Sequence, residues 1–248
     1  MKIAVAWVVA LLLLQSPGAP LPESNKFISE FRKTLRSDDE LRQEYAFSEK
    51  ESVTEMDRGG KPKITEVKVY EVYPDRGQLY RRLLSVNGVT LSQGDLDKED
   101  HDQAMKKPES PRDDSKIRDE LFKIYDLTIE RRETMEGSPT IMLSFQPRTD
   151  YKPQSKLTNF LTHVSGRIWV NEANHQLVRL NAEVVDSVSF GWFLGSLDEG
   201  TRLIAERWNV GNDIWMPVRL DIQKSQRVLW KGTKVHEVHE YSEYRKVN

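Results

Sequence analysis

The clearest structural pattern in the chain lies in two short segments, Gly166-Arg167-Ile168-Trp169-Val170-Asn171 and Gln176-Leu177-Val178-Arg179-Leu180. The first predicts a strand over 166–170, and the polar residues Asn171–His175 predict a turn. In the second, apolar residues occupy every other position: Val178, Leu180, Ala182 and Val184. This alternation is typical of an antiparallel strand with one buried and one solvated face. The stretch therefore predicts a hairpin in a sheet that is apolar on one side only.

The same alternation, interrupted by turn residues, extends over most of the chain. The predicted strands or strand pairs are Tyr45–Asp57, Ile64–Tyr73, Gln78–Val86, 125–129, 141–145, 166–170, 178–184, Leu203–Val210, Met216–Gln223 and Val228–Tyr244. Glycine-containing turns such as Asn87-Gly88 separate them. We therefore expect about ten antiparallel strands in hairpin order, with one wet and one apolar face.

Helices are predicted at the start of the chain and in one charged insertion. Phe27, Ile28, Phe31 and Leu35 fall on one helical face, and Ser37–Glu40 has the form of a capping box that opens a second short helix. Residues 92–116 are dominated by charged residues with two prolines, which predicts an exposed, partly helical insertion. The expected fold class is mainly β with an N-terminal helix: a curved antiparallel meander sheet that curls over helices, in a single domain over 20–248.

The first 19 residues have the three-part pattern of a secretory signal peptide. Met1–Lys2 is a short basic start, Ile3–Leu14 is apolar, and Gln15–Pro20 is small and proline-rich. The apolar run is shorter than the roughly 20 residues that a membrane-spanning helix needs. The chain has no cysteine to acylate. We therefore expect an exported, periplasmic protein without a lipid anchor and without a transmembrane segment in its mature part.

Charge and composition exclude several classes of function. The 248 residues contain 37 Lys+Arg and 39 Asp+Glu, for a formal net charge of −2. This balance gives no long-range attraction to nucleic acid or to anionic lipid. The absence of cysteine excludes disulfides, thiolate metal sites and cysteine nucleophiles, and among exported proteins it favours a bacterial envelope protein.

No motif for catalysis or for a cofactor stands out. His236 and His239 are three residues apart in a strand-like stretch, so they point to opposite faces and lack the spacing of a zinc protease helix. Asp95–Glu99 resembles the opening of a calcium loop, but Asp100 replaces the required glycine. There is no phosphate-binding loop and no serine hydrolase elbow, and none of the 39 acidic residues is singled out as half of a catalytic pair. We expect no enzyme activity, no metal and no cofactor.

Aromatic residues are the candidates for ligand binding. The densest cluster is Phe190-Gly191-Trp192-Phe193, where Gly191 and Gly195 would let an apolar loop move. The full candidate set is Phe190, Trp192, Phe193, Trp169, Trp208 and Trp215. The alternative is that these side chains are ordinary core or cross-strand pairs, which aromatic residues commonly form.

The hairpin motif resembles the strand pair of bacterial lipoprotein-sorting carriers of the LolA/LolB type. Trp215-Met216-Pro217 after Asn212-Asp213, and the ending Tyr241-Ser242-Glu243-Tyr244, are also similar to segments of these envelope proteins. The resemblance implies an open half-barrel closed by helices, with an apolar cavity that takes acyl chains. The charged insertion departs from the family pattern. The lid arginine of the carriers has no counterpart that we can place, so no family binding residue is transferred.

Two functions of different classes follow. The first is a non-catalytic periplasmic carrier or sensor that binds a lipid, an acyl chain or a lipoprotein in the concavity of the sheet. The second is an envelope interaction module with a filled core and no small-molecule ligand, which would use a sheet edge or the charged insertion to contact a protein partner. An apolar cavity of a few hundred Å³ would favour the first, and a packed interior the second.

Overall fold

The computed structural model describes residues 19–42, 44–57, 60–75, 78–105, 114–189, 196–197, 199–211, 215–228 and 231–247. The helices in these ranges are α1 (Ser24–Arg42), α2 (Gln93–Met105), α3 (Asp114–Ile124) and α4 (Lys156–Leu161). The strands are β1 (Tyr45–Met56), β2 (Pro62–Asp75), β3 (Gln78–Val86), β4 (Val89–Thr90), β5 (Tyr125–Met135), β6 (Ser138–Pro147), β7 (Val164–Asn171), β8 (Leu177–Val184), β9 (Val188–Ser189), β10 (Ser196–Leu197), β11 (Arg202–Asn209), β12 (Trp215–Val228) and β13 (Lys231–Lys246).

All thirteen described strands belong to one antiparallel sheet. Its main path runs β4-β3-β2-β1-β13-β12-β11-β8-β7-β6-β5, and the short strands β9 and β10 extend from β12. The ends of this path, β4 and β5, do not pair with each other in the described part of the chain, so the sheet stays open. The mainly β, antiparallel sheet predicted from the alternation and the open half-barrel implied by the family resemblance are both confirmed.

The strand order differs from a single continuous meander. Strands β1–β4 follow one another outward to one edge, and the chain then crosses through α2 and α3 to β5 at the opposite edge. From β5 the strands return inward until β13 pairs with β1. The hairpin signals in the sequence determine which consecutive strands pair. They do not determine the position in the sheet of a strand that follows a long connection. The charged segment after β4 is such a connection, and it leads to β5 at the opposite edge.

The hydrophobic core lies under α1 at the β5–β8 side of the sheet. Phe27 and Phe31 of α1 pack with Ile141 and Leu143 of β6 and Ile168 of β7, among others. Side chains of α3 and α4 complete this layer, and α1 also contacts β12. We call the face covered by α1 the inner face and the opposite one the outer face. The predicted helical stripe is confirmed as the element that packs on the sheet.

Two local predictions have different outcomes. The expected second helix at Ser37 is wrong, because α1 continues without a break to Arg42 and the capping-box residues lie inside it. A serine caps a helix only where the backbone before it is not helical. The backbone before Ser37 is helical, so Ser37 cannot act as a cap. A capping box does occur at Ser155, whose side chain accepts from the Thr158 N–H at the start of α4.

Gly166 occupies the tightest point between β7 and β8. A Cβ atom at this position would lie 2.0 Å from the Asn181 carbonyl oxygen, 2.9 Å from Cζ of Phe145 and 3.0 Å from Cα of Ala182. Glycine is therefore required by space in the segment that the sequence singled out.

Within the described ranges, no helix has both the length and the apolar character required to cross a membrane. The predicted signal peptide lies almost entirely outside these ranges. At their start, the backbone oxygens of Ala19 and Pro20 accept hydrogen bonds from the Arg132 guanidinium at 2.8 and 3.0 Å, which ties the beginning of the described chain to β5.

Candidate ligand-binding face and its ion network

The inner face of the sheet changes character from one side to the other. At β5–β8 it is covered by the helices and filled. At β11 and β12 it carries four partly exposed apolar residues outside the described core cluster, which we call the apolar strip: Leu203, Ala205, Leu220 and Ile222. Strand pairing places them on the face of the core residues, because Ala205 is opposite Leu180 and Leu180 is opposite Ile168.

Beyond the apolar strip the inner face becomes charged. Leu220 is paired with His239, and Ile222 with Glu237, so the change occurs between β12 and β13. The charged side chains form an ion network across β12, β13, β1 and β3, with these members: Lys224, Glu237, His239, Glu49, Glu51 and Arg81. Three carboxylates therefore face three basic groups.

Arg81 and His239 hold the buried carboxylate at the centre of the ion network. Arg81 donates from Nε to Glu49 Oε2 at 2.7 Å, and from Nη2 to Glu49 Oε1 at 3.0 Å and Glu51 Oε2 at 2.8 Å. The Arg81 guanidinium also lies 4.1 Å from the centre of the Tyr70 ring. The Glu49 side chain is only 6% exposed. Fork-like pairing of this kind is among the stronger charge-assisted contacts in proteins.

The geometry around His239 requires a protonated imidazole. Nδ1 lies 2.7 Å from Glu49 Oε1 and Nε2 lies 2.8 Å from Glu237 Oε1. A neutral imidazole has one N–H donor and one acceptor nitrogen, and an acceptor nitrogen cannot bond to a carboxylate oxygen. Both ring nitrogens must therefore donate. His239 thus links β13 to β1 as a cation between two carboxylates.

The pKa values of the ion network shift in the directions that this arrangement implies. The hydrogen bond to Glu49 raises the pKa of His239, and burial opposes that rise. For Glu49 and Glu237, burial alone would raise the carboxyl pKa, but the bonds from His239, Arg81 and Lys224 outweigh it and lower the pKa of both. Burial and the neighbouring Glu51 carboxylate raise the pKa of Tyr70 to about 12.

Three members of the ion network lie close enough to be considered as metal ligands. One ligand atom from each of Glu51, Glu237 and His239 falls within 4.8 Å of the others. Each group already has a charged partner, because Arg81 donates to Glu51, Lys224 donates to Glu237, and His239 donates to Glu237 through a proton that a metal would have to displace. The arrangement is accounted for as an ion network, and we assign no metal to it.

The ion network makes stability depend on pH. Because the pKa of His239 is raised, its contribution is complete below the unfolded value of 6.5 and is lost as the pH rises through the folded value. Because the pKa values of Glu49 and Glu237 are lowered, their contributions are complete above 4.5 and are lost at lower pH. We expect the melting temperature of the native chain to exceed that of His239→Gln by a margin that shrinks as the pH rises from 6.5 through the raised pKa of His239. Thermal melts of both proteins measure this margin, and a constant margin would contradict the protonated state of His239.

The outer face carries a shallow polar depression of about 360 Å³. Arg167, Asn181 and Glu183 line one side of it, and Arg202, Ile204, Asp221 and Gln223 the other. Among its charged groups, Arg202 pairs with Glu183, and Asp221 pairs with His236. This depression lacks the apolar lining that an acyl chain requires.

The aromatic residues predicted as ligand contacts lie in different places. Phe190, Trp192 and Phe193 are outside the described residues. Trp169 lies on the outer face, where it pairs with Met142 and Arg179 and its indole N–H donates to Glu133 at 2.7 Å. Trp208 and Trp215 flank the β11–β12 turn, with Trp208 50% exposed and Trp215 buried. The structure therefore does not bring the described tryptophans together at the apolar strip.

The sequence pattern does not predict the ion network. His236 and His239 lie on opposite faces, as their spacing predicts, and His236 pairs with Gln223 and contacts Asp221 on the outer face. A signal was present: Glu49 and Glu51 in β1, and Glu237 and His239 in β13, occupy alternate positions that share one face. Two strands with charge at the same period can pair, but only the strand order shows that these two do.

Comparisons with known proteins give similarity in structure only. No family model matches the chain, and no curated protein matches it. Among solved structures it is similar to a LolA superfamily protein from Nitrosomonas europaea, with a TM-score of 0.33, 12% identity, and coverage of 92% of this chain and 95% of that chain.

A putative outer membrane lipoprotein-sorting protein domain from Vibrio parahaemolyticus gives a TM-score of 0.41 and 11% identity, over 89% of this chain and 91% of that one. A chain of the Pseudomonas aeruginosa MucA/MucB complex gives a TM-score of 0.26 and 13% identity, over 88% of this chain and 99% of that one. The first two carry the family name that the sequence motifs resemble. Since identities and TM-scores are low, the fold assignment rests on the strand order and pairing described above.

Proposed function

We propose that this chain is an exported, non-catalytic protein that binds an apolar ligand, a lipid or an acyl chain, on the inner face of its half-barrel. The observation that carries the proposal is the apolar strip. Leu203, Ala205, Leu220 and Ile222 form a continuous apolar patch on two paired strands, beside the filled core and partly open to solvent. Apolar surface left in water adds nothing to stability, and a contiguous exposed apolar patch is typical of ligand-binding and interaction surfaces, which supports a ligand at the strip.

Binding would transfer alkyl surface from water to the strip. Each buried CH₂ contributes about 0.8 kcal/mol, so a chain of ten carbons has enough apolar surface for measurable affinity after the cost of association. No covalent step is required. A periplasmic location is the expectation from the N-terminal sequence and forms part of the proposal.

A pair of adjacent variants tests the binding face. Leu203 and Ile204 are neighbours on β11, but Leu203 pairs with Ala182 and Ile222 on the inner face and Ile204 with Asn181 and Asp221 on the outer face. We expect Leu203→Gln to weaken binding of a fluorescent fatty acid about tenfold, because an alkyl chain would then have to desolvate an amide, and Ile204→Gln to change it less than about twofold. Fluorescence titration measures both, and thermal melts check that both variants fold. Equal affinities for the two variants would contradict the inner-face site.

The filled core favours a second candidate function. Phe27 and Phe31 of α1 occupy the inner face between β5 and β8, which leaves less room there than an open carrier cavity would have. If native mass spectrometry of protein purified from a bacterial periplasm shows no lipid adduct, and the chain takes up no fluorescent fatty acid, the envelope interaction module becomes the better account.

A further inference from the structure

We propose that the ligand is an amphiphile with an anionic head group, and that Lys224, at the border between the apolar strip and the ion network, binds that head. The inference rests on the proposed function, because it assigns the polar end of the same site. Three observations support it: Lys224 lies at the end of the apolar strip, the basic side chains of the ion network are more exposed than the carboxylates, and the Lys224 ammonium has three N–H donors.

Lys224 continues the apolar strip along its own strand. Leu220, Ile222 and Lys224 alternate on β12 and share the inner face, since they pair with His239, Glu237 and Val235 of β13. Residues two apart in a strand are separated by about 6.8 Å, roughly the length of five C–C bonds along an extended alkyl chain. A chain lying on Leu220 and Ile222 would therefore place its end group beside the Lys224 ammonium.

The exposed part of the ion network is cationic although its charges balance. The carboxylates lie deep, with exposed side-chain fractions of 6% for Glu49 and 17% for both Glu51 and Glu237. The long basic side chains lie over them, with 32% exposure for Lys224 and 42% for Arg81. A ligand that approaches from solvent therefore meets basic groups first.

An anion matches this surface better than a cation or a neutral head group. Lys224 has three N–H donors and donates to Glu237. It can therefore accept a second anionic partner without breaking that pair. The carboxylates already accept from His239, Arg81 and Lys224 and are only 6–17% exposed, so little of their surface is open to a cationic head. Of the more exposed carboxylates on the inner face, Glu55 lies on β1, two strands from Lys224, and Glu66 lies on β2, three strands away, where it pairs with Lys68 at 2.7 Å.

Charge and chain length can be separated with simple probes: decanoate, decanol and decyl phosphate. We expect Lys224→Gln to weaken decanoate binding about fivefold and to leave decanol within about twofold, because only decanoate carries the charge. Lys50→Gln is the matched control, since Lys50 lies on the outer face and pairs with Glu240 at 3.0 Å. Lys224→Arg should retain the preference for decanoate. Isothermal titration calorimetry of the full mature chain measures each affinity.

The outcomes separate this inference from the proposed function. If decanol and decanoate bind and Lys224→Gln changes both equally or neither, the head-group inference is overturned and the apolar site stands. If neither probe binds the native chain, the proposed function fails and the inference fails with it. A fivefold loss of affinity for decanoate without a matching loss for decanol supports the inference. The native chain's affinities for decanoate and decyl phosphate then show whether the site prefers a carboxylate or a phosphate head.

Discussion

Gly166→Ala should unfold this protein at a markedly lower urea concentration than the native chain, with a loss of about 3 kcal/mol or more in the free energy of unfolding. The added methyl group would lie 2.0 Å from the Asn181 carbonyl oxygen, which belongs to the backbone of β8 and cannot move away as a side chain can. To make room, β7 and β8 must separate, and the hydrogen bonds between them must lengthen. The conflict includes Phe145, so the core under α1 would also be disturbed.

Gly94→Ala is the control for this substitution. Gly94 lies in the first turn of α2, where an added Cβ would meet only Ser92 Oγ at 3.9 Å. Alanine is favoured over glycine in a helix by about 0.5–1 kcal/mol, so this variant should be unchanged or slightly more stable. Urea unfolding of both variants, followed by circular dichroism, gives the comparison. Similar midpoints would show that the β7–β8 contact is not as tight as described.

His239→Leu should cost about 3 kcal/mol of stability at a pH near 6. Leucine approximates the volume of histidine, so the loss reports the missing charge and hydrogen bonds more than a cavity. Glu49 and Glu237 would each lose a donor at 2.7 or 2.8 Å, and Glu49 is almost completely buried. The expected loss is at the lower end of what breaking a buried ion pair costs, because Arg81 continues to hold Glu49.

His236→Leu is the matched control on the same strand. His236 contacts Asp221 at 2.8 Å on the outer face, with a third of its side chain exposed, so its loss should cost less than about 1 kcal/mol. The double variant His239→Leu/Glu49→Leu should lose less than the sum of its two single variants, because it leaves no carboxylate at position 49 that lacks its His239 donor. Denaturant unfolding of the native chain, His239→Leu, Glu49→Leu and the double variant measures the coupling energy between the two residues. Strict additivity would contradict a direct link between His239 and Glu49.

Most of the architecture could be predicted from sequence because the signals are local. Alternation in 178–184 and turn residues such as Asn87-Gly88 act over fewer than ten residues, and the corresponding strands form with bounds close to those predicted. The strand order could not be predicted in the same way. It depends on where the long connection through α2 and α3 leads and on the pairing of β1 with β13, which are interactions between distant parts of the chain.

The candidate site was less predictable for a related reason. The alternation predicts that the strands at 203–210 and 216–223 have one apolar face, but whether helices cover Leu203 and Leu220 depends on how far α1 reaches across the sheet. Aromatic residues are the candidates for ligand contacts by sequence, yet Trp169 lies on the outer face opposite Met142. The charges at Glu49 and His239 occupy inward positions where the pattern predicts apolar residues, and their contact joins positions 190 residues apart.

The joint between β1 and β13 also orders the steps by which the chain folds. Strands β1–β4 are synthesised first and pair locally. The edge of β1 that does not pair with β2 has to remain unpaired until the sixteen-residue β13 is complete. Bringing together two strands that are about 190 residues apart in sequence is slow compared with forming a hairpin. The pairing of β1 with β13 should therefore be a late step in folding. A chain interrupted before Lys231 would present two long unpaired edges, those of β1 and β12. Such edges are where chains add to one another, so premature termination would favour aggregation over a smaller folded domain.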